Sequence, residues 1–243
     1  MNPILLIPAR MASTRLPGKP LAAIAGRPMI VRVWERAMAA NLGPVVVAAA
    51  EPEIVAAIEA AGGRAILTDP SLASGSDRIF AALKIADPQG RHDVVVNLQG
   101  DLPALAPDVI RAAVAALPGA DIATLAAQIT DPAERGNPAV VKAVVAWDEG
   151  GKKGRALYFT RSAAPSGDGP LFHHVGLYAF TRDALTRFVA LPPSPLEQRE
   201  KLEQLRALEA NMSIAVARVD TVPLSVDTPA DLERANVLLK NAP

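Results

Sequence analysis

Short aliphatic runs alternate with helically spaced stretches through the first half of the chain, and this rhythm constrains the fold more than any other feature. Ile4 to Ile7 precedes Pro28 to Asn41, Val45 to Ala50 precedes Pro52 to Ala61, Ala65 to Thr68 precedes Ser76 to Ala86, and Val94 to Leu98 precedes Pro107 to Leu117. Strand–helix–strand crossovers of this kind join parallel neighbours, and uninterrupted apolar runs suit strands covered on both faces. Pro28 suits a first helical position, and Gly43 and Gly62 suit helix stops. The expected class is α/β, with a doubly wound, mostly parallel sheet.

Beyond about residue 120 the rhythm changes. Ile122 to Ile129, Val140 to Trp147, Leu157 to Thr160 and Val175 to Phe180 are strand-like with no long helix between them, which predicts a small antiparallel excursion at about 120–182. Arg182 to Val189 and Leu196 to Ala210 then read as helices, Ile214 to Val219 as a strand and Pro229 to Leu239 as a closing helix. At 243 residues the whole, 1–243, fits one domain carrying that excursion.

Charge and cysteine usage narrow the function classes. The 25 basic residues balance the 25 acidic ones, so nothing draws the chain as a whole to nucleic acid or to an anionic membrane, and anion recognition must be local. The absence of cysteine excludes disulfides, a thiolate nucleophile and cysteine-bound zinc or iron–sulfur. No apolar run reaches the roughly 18 residues of a membrane span, and the first strand begins almost at once without a charged leader. The expectation is a cytoplasmic protein with neither nucleic acid nor membrane as partner.

The local anion site is predicted where the first strand ends. Arg10, Arg15 and Lys19 stand among Ala12, Ser13 and Gly18, small residues that let backbone N–H groups approach a ligand. In open α/β sheets ligands bind beyond the carboxyl ends of strands, so this loop reads as a polyphosphate cradle. It is not a P-loop, because Pro20 follows Gly18-Lys19 and the upstream glycine is missing. The plain alternative is a set of solvated arginines. Val94 to Asp101 is a strand ending in polar groups, which puts Asp101 beside that loop as a candidate magnesium ligand, since magnesium takes one or two carboxylates plus substrate phosphates. The alternative there is a carboxylate capping the next turn. Asp227 precedes Thr228-Pro229-Ala-Asp231, where Thr228 can cap the closing helix, so Asp227 is left for another task or is simply a spare acid near a helix start.

Longer stretches carry a family resemblance. Pro8-Ala-Arg10, Ser13-Thr-Arg-Leu-Pro-Gly-Lys-Pro-Leu21, Gly26-Arg-Pro-Met-Ile30, Val96-Asn-Leu-Gln-Gly-Asp101, Ala156-Leu-Tyr-Phe159, Pro193-Ser-Pro-Leu-Glu197, Leu202-Glu-Gln-Leu-Arg206 and Val226-Asp-Thr-Pro229 closely resemble the 3-deoxy-D-manno-octulosonate (KDO) cytidylyltransferases, over nearly the whole chain. The resemblance implies a nucleotide-diphospho-sugar transferase-like fold and a bacterial homodimer that joins CTP to KDO, releasing pyrophosphate, for lipopolysaccharide assembly. It implies that Asp101 and Asp227 hold magnesium, that Arg10, Arg15, Lys19, Ser74, Gln99 and Asp101 bind the nucleotide, and that Arg10, Lys19, Asp101 and Asp227 form the catalytic set. Gln99, Tyr158, Arg161, His174, Tyr178, Glu197 and Gln204 fall in segments similar to those lining the family's sugar pocket. Their plain alternatives are a satisfied core histidine at His174, packing at Tyr158 and ordinary surface charge from Glu197 to Arg206.

Two departures from the family pattern stand out. Leu102-Pro103 replaces a common Glu-Pro, and the loop between Arg161 and His174 is short and lacks an aromatic-Asp-Arg segment. A sugar-nucleotide synthetase for sialic acid or a sugar phosphate is the nearest rival. A metal-dependent glycosyltransferase would want an Asp-x-Asp pair, which Asp101-Leu102-Pro103 does not supply, and a nucleotide sensor would not need both carboxylates.

Overall fold

The computed structural model describes residues 1–240, and the last three residues of the chain lie outside that range. The chain divides into two compact units, Met1–Arg111 together with the segment from Pro223 onward, and Ala112–Val222.

In the first unit the aliphatic runs become strands. In chain order come β1 (Pro3–Ala9), a short 3-10 turn (Lys19–Leu21), the two-residue strands β2 (Ala23–Ile24) and β3 (Arg27–Pro28), α1 (Met29–Ala39), β4 (Val45–Ala49), α2 (Pro52–Ala60), β5 (Arg64–Leu67), α3 (Gly75–Ala86) and β6 (Val94–Asn97), followed by α4 (Pro107–Ala116), within which the first unit gives way to the second after Arg111. β4 lies between β5 and β1, and β1 between β4 and β6, with every pair parallel. All positions of β4 and β6 are buried, as expected for strands covered on both faces. Parallel order brings the carboxyl ends of all four strands to one edge.

Two end signals differ from expectation. Pro28 pairs in the β2–β3 ribbon and flanks α1, which starts at Met29. The turn out of α1 is made by Asn41 at φ 51, because asparagine tolerates the left-handed region. Gly43 has a different reason to be glycine: a Cβ there would lie 2.1 Å from the Pro3 carbonyl oxygen.

The second unit contains β7 (Ile122–Gln128), a single helical turn α5 (Pro132–Arg135), β8 (Lys142–Trp147), β9 (Lys153–Thr160), β10 (Phe172–Thr181), α6 (Arg182–Ala190), α7 (Pro195–Glu200), α8 (Leu205–Glu209) and β11 (Ile214–Val219). β10 pairs antiparallel with β7 and β9 antiparallel with β8, while β11 runs parallel to β7 and antiparallel to β9. β8 also meets β10 where Lys142 faces His173, so the strands curl back on themselves.

The expected single helix from Leu196 to Ala210 is two. Lys201 adopts φ 58 and ends α7. Across the break Arg206 grips Glu197 at 2.5 and 2.8 Å, and Leu202 and Leu205 turn inward to be buried. Tertiary burial and a two-pronged ion pair override a locally helical sequence here.

The closing helix α9 (Pro229–Lys240) belongs to the first unit. Its Ala235 and Leu239 pack with Ile24, Met29 and Val226. That apolar cluster fixes the segment that carries Asp227.

Candidate active site

The strand ends of the first unit border a cleft of about 750 Å³. Its floor is set by close backbone approach, since a Cβ on Gly100 would lie 2.8 Å from the Pro8 carbonyl oxygen. The cation-bearing loop leaves β1 here and is held in two ways. Met11 N–H donates to Glu51 Oε2 at 2.9 Å, and Gly18 N–H closes the loop onto the Met11 carbonyl at 3.3 Å. Gly18 at φ 67 then turns the chain into the Lys19–Leu21 turn, which aims Lys19 inward.

Lys19 Nζ donates to Asp101 Oδ2 at 2.8 Å and to Asp227 Oδ1 at 3.0 Å. Arg15 Nη2 lies 3.0 Å from the same Asp227 oxygen. Burial by itself would lower the Lys19 pKa, but the two carboxylates outweigh it and hold the ammonium above its ordinary value. Asp101 and Asp227 come together because Val226 N–H donates to the Asp101 carbonyl at 2.9 Å, over the apolar cluster beneath α9.

The start of α9 is satisfied without Asp227. Asp231 N–H donates to Thr228 Oγ1 at 3.2 Å, and Thr228 N–H returns to Asp231 Oδ2 at 2.9 Å. This reciprocal cap holds the Asp231 carboxyl down at about 2, through bonds from Thr228 and Arg234 that outweigh burial. The Asp227 carboxylate therefore faces the loop's cations instead of the helix.

Arg10, Arg15, Lys19, Ser74, Gln99 and Asp101 all line the cleft. Arg10 is exposed and makes no hydrogen bond or ion pair among the described residues, unlike its two companions. Ser74 caps α3, its Oγ accepting from Asp77 N–H at 3.1 Å. The donor set fits a divalent cation: two carboxylates converge on one positive charge beside a cleft able to admit phosphates, which suits the one or two carboxylates magnesium takes.

Sequence reasoning missed Arg78, which also lines the cleft. Only 2% exposed, it donates to Thr68 Oγ1 at 2.7 Å and to the Asp69 carbonyl at 3.0 Å, tying α3 to the end of β5. Its signal was a lone arginine beside Ile79 and Ala82 on the buried face of a helix. Arg78→Met is expected to cost about 1–3 kcal/mol of stability by leaving buried acceptors without a donor, measured by urea denaturation. An unchanged midpoint would show that this tie is dispensable.

The remaining candidates lie in the second unit. His174 Nε2 is 3.0 Å from Thr124 Oγ1, with Phe159 edge-on at 4.8 Å and Tyr178 at 5.5 Å. Burial and neighbouring His173 hold the His174 pKa down at about 3, and burial, helped by Glu203, pushes the Tyr178 phenol up. Tyr158 is half-buried, and its phenol is also raised by burial. Arg161 is engaged in structure, donating to the carbonyls of Glu200 at 2.8 Å and Pro138 at 3.0 Å. Glu197 is held by Arg206, whereas the buried Gln204 keeps an Nε2 without a partner.

The His174 shift fixes the sign of a pH dependence. The unfolded chain takes up a proton near 6.5 and the folded one only near 3, so the unfolded state binds more protons between those values. Stability is therefore expected to fall as pH drops below about 6.5, by up to about 1.4 kcal/mol per pH unit. Urea midpoints between pH 7 and 4.5 should fall less steeply in His174→Gln than in wild type. Parallel curves would contradict a neutral buried imidazole.

A cation-lined cleft at the ends of parallel strands, with Asp101 in its wall and Asp227 joined to that wall through Lys19, defines a nucleotidyltransferase class of site. Residues 4–214 match the cytidylyltransferase family, and the chain belongs to it. The relatives are more specific. A protein of Parvibaculum lavamentivorans, 66% identical and covering 98% of this chain and 93% of its own length, is a 3-deoxy-manno-octulosonate cytidylyltransferase. One of Rhodospirillum centenum, 64% identical with the same coverage, bears the same name. Among solved structures, CMP:2-keto-3-deoxy-manno-octonic acid synthetase complexed with CTP superposes with a TM-score of 0.89 at 39% identity, covering 98% of both chains. The expected α/β class and the family resemblance both hold.

Proposed function

We propose that this chain transfers CMP from CTP to the anomeric hydroxyl of KDO, giving CMP-KDO and pyrophosphate for lipopolysaccharide assembly. The observation that carries the reading is that Lys19, at the wall of the strand-end cleft, bonds both Asp101 and Asp227. Relatives at 60–66% identity that carry the cytidylyltransferase name support it.

In this reading the anomeric oxygen attacks the α-phosphorus of CTP. A new P–O bond forms as the bond to pyrophosphate breaks, and the hydroxyl proton is lost. The protein's part is positioning and charge neutralisation. Arg10 and Arg15 hold the triphosphate, and Lys19 offsets charge on the α-phosphate and the leaving group. Ser74, Gln99 and backbone groups of the strand-end loops frame the nucleoside. Asp101 and Asp227 are the residues that would hold magnesium, which when bound would neutralise phosphate charge and lower the pKa of the attacking hydroxyl.

The sugar acid is assigned to Gln99, Tyr158, Arg161, His174, Tyr178, Glu197 and Gln204. Gln204 offers an amide donor with no other partner, while Arg161 and Glu197 serve chiefly to fix the backbone and helices around them. The reading also carries a cytoplasmic location and a homodimer.

The test is pyrophosphate release with CTP, UTP and dTTP, each offered KDO, sialic acid and hexose phosphates. CTP with KDO should give the highest turnover. Faster turnover with sialic acid, or with UTP or dTTP and a sugar phosphate, would overturn the substrate assignment.

A further inference from the structure

Lys19 is placed where a divalent cation would have to act. Its Nζ bonds one oxygen of each carboxylate, Asp101 Oδ2 at 2.8 Å and Asp227 Oδ1 at 3.0 Å, and Arg15 Nη2 lies 3.0 Å from the second of these. Two cations thus stand against two carboxylates, and the group is formally neutral. Lys19 is well enclosed, with only 16% of its side chain exposed, so its attraction to both acids is weakly screened. Magnesium or manganese would need those same oxygens at about 2.0–2.1 Å. Adding a doubly charged ion to a neutral group would leave a large positive excess, and only an anionic ligand would offset it.

We propose that Lys19 and the divalent ion compete for the same oxygens of Asp101 and Asp227, and that this competition makes tight metal binding depend on the nucleotide's phosphates. The inference rests on the reading that these aspartates hold the metal. Lysine suits the task because its ammonium is a compact point charge on a flexible four-carbon stem. It can leave the carboxylates for a phosphate without moving the backbone that carries it. The coupling is reciprocal, so what favours one ligand favours the other to the same extent. Asp101 and Asp227 then serve as counter-ions for Lys19 in one state and as metal ligands in the other.

The experiment uses the full chain without nucleotide and Mn²⁺ as the probe, followed by calorimetry and by the electron paramagnetic resonance signal of free Mn²⁺. Lys19→Met removes the competing charge, and Lys19→Gln removes it while keeping a hydrogen-bonding group. Circular dichroism establishes that each variant is folded. Both should bind one Mn²⁺ at least about tenfold more tightly than wild type, as expected when a unit charge is taken from close range. Adding Asp101→Asn to either background should abolish the gain. Mn²⁺ should also raise the thermal midpoint of the variants more than that of wild type.

Equal Mn²⁺ affinity in wild type and both Lys19 variants, or no binding in either variant, would overturn the competition. The metal assignment itself is read separately. If Asp101→Asn and Asp227→Asn abolish Mn²⁺ binding to the protein with CTP present, the aspartates hold the metal even where the competition fails. If they leave it intact, the assignment itself falls.

Discussion

Lys19→Ala is expected to lose about a hundredfold or more in turnover with CTP while remaining folded. Removing one preorganised donor aimed at developing charge has that effect in other enzymes. In this chain two carboxylates at 2.8 and 3.0 Å keep the donor charged and at the cleft wall, from where a side-chain movement alone brings it to a phosphate. Arg10→Ala should lose activity on the same scale for a different reason. It lines the cleft with no described partner of its own, so its charge is available to a phosphate. Steady-state kinetics with circular dichroism check both. Wild-type kinetics in either folded variant would make that cation a solvated surface charge.

Asp101→Asn and Asp227→Asn are expected to be comparably severe, each losing about a hundredfold or more. Asparagine keeps the shape and removes the charge. Both variants should also change the magnesium concentration needed for half-maximal rate. Little stability should be lost at Asp227, because the reciprocal Thr228–Asp231 cap already satisfies the start of α9. A carboxylate that acted only on the helix dipole would be worth about 0.3–1 kcal/mol and would leave turnover nearly intact. The thermal midpoint and the rate therefore separate the two roles in one variant.

How much of this was legible in the sequence differs from element to element. The aliphatic runs announced β1, β4 and β6 because strands buried on both faces leave an unbroken apolar signature. By contrast, β5 is an edge strand in which only Ile66 is buried, and it was legible from its place in the strand–helix rhythm. The break at Lys201 did not show. Leu196 to Ala210 has helical composition throughout, and the break depends on Glu197 and Arg206 meeting across it. Lys153 to Arg155 did not read as strand either, since their extended form comes from pairing with β8 and β11.

The site divides in the same way. The loop cations could be read from their spacing after β1, and Asp101 from its place at the end of β6. Asp227 could not be joined to them by any local pattern. What joins them is a backbone bond from Val226 to Asp101 and the apolar cluster under α9. Arg78 was invisible for a related reason: burial of a cation is decided by acceptors at Thr68 and Asp69 that only the folded chain brings near.

If Asp101 and Asp227 work as one unit around Lys19 and the metal, their losses should not add. The decisive measurement is turnover with CTP and KDO at saturating magnesium for Asp101→Asn, Asp227→Asn and the double variant, with thermal midpoints recorded alongside. The double variant should be little worse than the more damaged single one, as for groups that act together. Two small losses that multiply in the double variant would mean independent carboxylates and would contradict the shared site.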